Sequence, residues 1–148
     1  MLWVHVLAGV SWVGACGSFV LAAMALAGSG TERRDFVVRS LPRLNRLCVG
    51  CAGLIPLTGL GNLAFAARAH GNSLSREFTI IVAVKLVLFA MMVWALTMII
   101  GRSGALHVEH AGADNEADAA VSALLRLHGL TIALGATALL LGLWLVGI

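Results

Sequence analysis

The sequence predicts an all-α fold, an integral-membrane antiparallel four-helix bundle, and three observations carry that expectation. Residues 1 to 31 contain no Asp, Glu, Lys or Arg. The chain of 148 residues is 60% hydrophobic and only 11% charged, with a mean hydropathy of +0.98. Four apolar runs, at about 2–27, 47–67, 78–100 and 124–148, each exceed the roughly 20 residues that cross a bilayer. Soluble domains do not have this composition. No sequence repeat and no second domain is visible, so the chain reads as one transmembrane unit.

The first run holds His5 near its start. A cleaved signal peptide is not expected there. The first basic residue is Arg33, and the apolar stretch is longer than a signal core of roughly 7–15 residues. The second run contains Pro56, which should kink its helix and free a backbone carbonyl. The third contains one charge, Lys85, and the fourth contains His128. Gly9, Gly14, Gly17, Gly50, Gly53, Gly59, Gly61, Gly129, Gly135 and Gly142 offer small surfaces for close helix approach.

The connections fix the expected topology. Residues 28–46 hold Arg33, Arg34, Arg39, Arg43 and Arg46 against Glu32 and Asp35. Thr31 and Glu32 suit the start of a short amphipathic lead-in, which Pro42 should interrupt before the second span. Residues 101–126 hold Arg102 and Arg126, and Asp114, Glu116 and Asp118 suit the N-terminal turn of the fourth helix. These two connections carry most of the Arg and are expected to be cytoplasmic, with both termini and the 68–77 connection on the periplasmic side. The pI of 9.2 reflects these flanking charges and does not argue for nucleic acid.

An ionisable side chain inside an apolar span is costly and needs a partner. Helical spacing puts His5, Gly9, Trp12 and Cys16 on one stripe, and Lys85, Phe89, Met92 and Leu96 on another. Cys48, Cys51, Ile55 and Thr58 share a stripe, as do His128, Ile132 and Gly135. His5 and Lys85 both enter from the outer side, so they and His70 in the outer connection are expected to form one cluster. His128 enters from the other side, on the order of 20 Å from His5 along the membrane normal. One metal cannot take both histidines. If both bind cofactors, there are two sites.

Each residue has a structural and a functional reading. His5 is either an interfacial histidine bonded to a carbonyl or a ligand for iron or copper. Lys85 either snorkels to the interface or meets an anionic group. His128 is either a polar helix contact or a second cofactor ligand. Cys16, Cys48 and Cys51 are free thiols that either pack or form a soft site for Cu(I), with Met24 and Met98 in the same half. His107 and His110 flank Glu109 in a polar connection, where solvated residues are the simpler account. No phosphate loop, nucleophile triad or catalytic carboxylate pair is present.

His5 with Trp12 and Gly14, then Leu57-Thr58-Gly59-Leu60, then Val84-Lys85-Leu86 together resemble the CopD-like membrane superfamily. That group includes the copper-resistance D proteins and, more distantly, the HemJ-type haem-binding proteins. The resemblance covers most of the first three helices. It implies a bacterial inner-membrane protein and two possible activities. One is electron transfer through b-type haem, with His5 and Lys85 as the matching positions. Trp12 would then be the pocket wall and His128 the ligand of a second haem. The other is copper transport or resistance, with Cys16, Cys48 and Cys51 passing the ion on. The Trp12-Val13-Gly14-Ala15 pattern is nearer the copper-resistance type, and the Arg-rich first-helix surroundings of HemJ are absent, so protoporphyrinogen oxidation is not expected. Expected partners are membrane lipid and either a larger redox complex or a periplasmic electron or metal carrier. A cofactor-free structural subunit is the third reading.

Overall fold

The apolar runs fold as four helices: α1 Leu2–Ala25, α2 Gly30–Ala69, α3 Arg76–Val108 and α4 Asp114–Val146. The computed structural model describes residues 2–26, 28, 30–69, 75–108 and 114–146, without side chains for 104–108, 114–118 and 145–146. All four helices are long and apolar enough to cross a membrane. No strand occurs among the described residues.

The buried positions recur at alternating spacings of three and four. In α1 they run through Trp12, Cys16, Phe19 and Ala23, with Ala8 one turn before; in α2 through Val37, Leu41, Leu44, Cys48 and Cys51, with Thr58 further on. In α3 they include Met92, Leu96 and Ile99, and in α4 Val121, Leu124, His128 and Thr131. This 3.5-residue repeat gives each helix one narrow seam, as in left-handed helix packing. The faces away from the seam are also apolar. Leu7, Leu57, Leu60, Leu86, Val87, Trp94, Leu140 and Trp144 are all more than half exposed. A water-soluble protein does not cover its outside this way.

The contacts pair early residues of one helix with late residues of the next. His5 meets Ile55 and Thr58, Cys16 meets Cys48, and Phe19 stacks on Phe36 at 5.8 Å. On the other side of α1, Gly9 faces Leu139 and Phe19 meets His128. Trp12 reaches across to Phe89 in an edge-to-face contact at 6.4 Å.

α2 departs from the expected lead-in. It runs unbroken through both Pro42 and Pro56 for 40 residues, about 60 Å by the helical rise. Pro42 removes one helical hydrogen bond but sits on the exposed side of the helix, where the loss is tolerated. Val37, Leu41 and Leu44 are buried around it and hold the segment against the core. Tertiary packing therefore outweighs the local break. The Arg-rich stretch is helix rather than loop, and it extends past the roughly 30 Å of a hydrocarbon core. At the opposite end, Ser75 caps α3. Its hydroxyl accepts from the Phe78 amide at 3.2 Å, and its carbonyl accepts from the Thr79 amide at 3.1 Å.

The glycines divide into two groups. An added Cβ would meet a neighbour at Gly9, Gly59, Gly135 and Gly142. At Gly14, Gly17, Gly50, Gly53 and Gly129 it would meet nothing within 4 Å. The second group does not mediate the close approach expected of it, because those positions lie off the seam.

Candidate functional site at the His5 and Lys85 end

His5 lies one α1 repeat above Trp12, on the face turned to α2. Its Nδ1 is 3.0 Å from the Ile55 carbonyl oxygen and 3.0 Å from the Thr58 hydroxyl oxygen. A carbonyl only accepts, so Nδ1 carries the proton and donates. The Thr58 hydroxyl in turn donates to the Leu54 carbonyl at 2.7 Å, which leaves its oxygen free to accept from the ring. This pattern leaves Nε2 with its lone pair. It is the arrangement in which a histidine ligand is oriented by a bond from its other nitrogen. Gly59 provides the seat: a Cβ there would stand 3.1 Å from His5 Cε1. Half of the Leu57-Thr58-Gly59-Leu60 motif is thus in contact with this one ring.

Lys85 approaches from α3. Its Nζ lies over Gly142, where a Cβ would be 2.9 Å away. No carboxylate pairs with Lys85 among the described residues. This end of the molecule draws on all four helices: His5 from α1, Ile55, Thr58 and Gly59 from α2, Lys85 from α3 and Gly142 from α4. Two turns from His5 and one from Lys85, the Trp12–Phe89 contact forms the floor, with Trp12 fully buried. His70 lies outside the described residues.

His128 occupies a different place. It is fully buried in the α4 seam, and its Nδ1 donates to the Leu124 carbonyl at 2.8 Å. Phe19 covers one face of the ring at a centroid distance of 4.9 Å. His5 and His128 thus flank α1 at residues 5 and 19, about 21 Å apart along the helix. Between them the interior is filled. Val13 and Met92 occupy the space over Gly135, and Trp12 and Phe89 fill the level above.

The three cysteines are reduced and buried. Cys16 and Cys48 bring their sulfurs to 3.9 Å across α1 and α2, and Cys51 lies one turn further along α2. Among the described residues, no group of three or more His, Cys, Asp or Glu is placed to hold a metal ion. His110 lies outside the described residues, as does the side chain of His107.

This end offers an imidazole held by its Nδ1, an ammonium with no carboxylate among the described residues, and the Trp12–Phe89 contact below them. One face of the His128 ring is covered by Phe19. Sequence reasoning placed His5 beside Lys85 by depth. It did not find Gly142 as the support for Lys85, or Phe19 as the cover of His128. Their signal was the three-four spacing of the seams.

No family model, curated protein or solved structure matches the chain.

Proposed function

We propose that the protein is a small integral-membrane electron-transfer component of CopD-like type that holds b-type haem at its His5 and Lys85 end. The observation that carries this reading is the His5 ring. It is anchored by Nδ1 on Ile55 and Thr58 with Nε2 left to bind, beside an ammonium that has no carboxylate among the described residues. In this reading His5 would hold the iron, Lys85 would meet a propionate, and Trp12 would wall the site from below. The group would supply one-electron chemistry, tuned by the ligating imidazole and by burial. His128 serves a second haem only if Phe19 moves. The opposed contact order of neighbouring helices supports an antiparallel bundle. The Arg-rich end supports a bacterial inner-membrane orientation with both termini outside.

Copper handling is the second reading. The 3.9 Å approach of Cys16 and Cys48 favours it, because two thiolates suit a soft ion such as Cu(I).

A reduced-minus-oxidised spectrum of the detergent-purified protein separates these readings. Haem bands should be present in the wild type and lost in His5→Ala, while Lys85→Met should keep the bands and shift the midpoint potential. Absence of bands in the wild type refutes the haem reading. Stoichiometric Cu(I) that is lost in Cys16→Ser and Cys48→Ser would establish the second reading. If neither haem nor copper is found, both readings fail and the cofactor-free one is left.

A further inference from the structure

Near the Arg-rich end, α1 and α2 leave an open groove of about 340 Å³ between them. Phe19, Phe36, Leu44 and Leu47 line it; Ser18, Ser40 and Arg43 border it, but its surface is almost wholly apolar. Ser18 stands about 24 Å along α1 from Leu2, near the far edge of a hydrocarbon core roughly 30 Å thick. The groove therefore lies where lipid headgroups meet acyl chains. Phe36, Ser40, Arg43 and Leu47 recur at helical spacing, so the apolar floor and the cation share one face of α2.

Among the described residues, no carboxylate neutralises the charge of Arg43 or Arg46 at the mouth. Arg39 pairs with Asp35 at 3.5 Å on the exposed surface. Beyond Asp35, α2 carries no further carboxylate, and Arg43 and Arg46 have none among the described residues. A basic mouth over an apolar floor, at headgroup depth, is the chemistry that recognises an anionic amphiphile. We propose that this groove seats one anionic phospholipid, its phosphate at Arg43 at the mouth and the start of an acyl chain on Phe36 and Leu47. The volume lies at the small end of ligand pockets. It takes the first part of one acyl chain, with the headgroup at the mouth and the chain ends left to the bilayer. A second copy of this chain is a poorer occupant, because it would bring its own Arg row against this one.

Native mass spectrometry of the full chain, released from detergent with equal amounts of phosphatidylglycerol or phosphatidylcholine, tests this. Phosphatidylglycerol adducts should dominate on the wild type. Arg43→Gln should reduce them about fivefold, the effect of one basic residue near a membrane surface. Ser18→Trp, which fills the groove, should abolish the preference, and Arg102→Gln at the same end should leave it intact. Three results overturn the proposal. They are equal retention of the two lipids by the wild type, an unchanged Arg43→Gln, and glycerol phosphate adducts as abundant as those of the lipid. A dimer that forms at the expense of lipid adducts also overturns it and assigns the face to self-association. Arg43 is exposed, so its variant folds and keeps the experiment decisive.

Discussion

Gly135→Ala tests the packing that keeps the two histidine levels apart. Gly135 sits where α1, α3 and α4 meet. A Cβ there would collide with Val13 Cγ2 and stand 3.1 Å from Met92 Cε. Met92 is flexible and can withdraw. Val13 is β-branched and held to one strongly preferred rotamer in a helix, so it cannot swing aside. The new methyl must therefore push α4 from α1. Gly14→Ala is the control, because nothing lies within 4 Å of its Cβ. Both substitutions gain the same helix term, about 0.5–1 kcal/mol from reduced backbone freedom. Their difference therefore isolates the packing cost, about 1–3 kcal/mol for an overfilled core. Equilibrium unfolding in mixed detergent and dodecyl sulfate micelles, followed by tryptophan fluorescence, measures it. Gly14→Ala should unfold at the wild-type point or later, and Gly135→Ala clearly earlier. A difference no larger than the roughly 0.3–0.5 kcal/mol within which independent sites agree would refute the seam.

Further outcomes follow from the same contacts. In a double-mutant cycle of His5→Ala and Thr58→Val, the coupling should be about 0.6 kcal/mol and no more than roughly 1.7, the range for hydrogen bonds between membrane helices. Zero coupling would mean that the ring rests on the Ile55 carbonyl alone. Diamide should oxidise the Cys16–Cys48 pair, because sulfurs at 3.9 Å need only a small approach to reach the roughly 2.05 Å of a disulfide. Intact-mass analysis should show the loss of two hydrogens in the wild type and in Cys51→Ser, but not in Cys16→Ser or Cys48→Ser. A Cys48–Cys51 product would contradict the geometry.

The four spans were legible because lipid-facing and core-facing residues are both apolar, which makes the runs unmistakable. The same property hid the interior. With no polar face for contrast, which side of α1 is buried shows only in the spacing of Trp12, Cys16, Phe19 and Ala23. The extent of α2 was misread for a related reason. Pro42 is a strong local signal, and the residues that override it act only through tertiary burial.

The sequence by itself determined the membrane class, the number of helices, and the separation of His5 from His128 by depth, because hydropathy and helical rise are local quantities. The tertiary structure decided which neighbour each polar group meets. It set His5 on Ile55, Thr58 and Gly59, laid Lys85 over Gly142, and closed His128 beneath Phe19. The glycines of the spans look alike along the chain. Only the approach of another helix distinguishes those that hold the bundle close from those that face open space, because packing depends on atoms far apart in sequence.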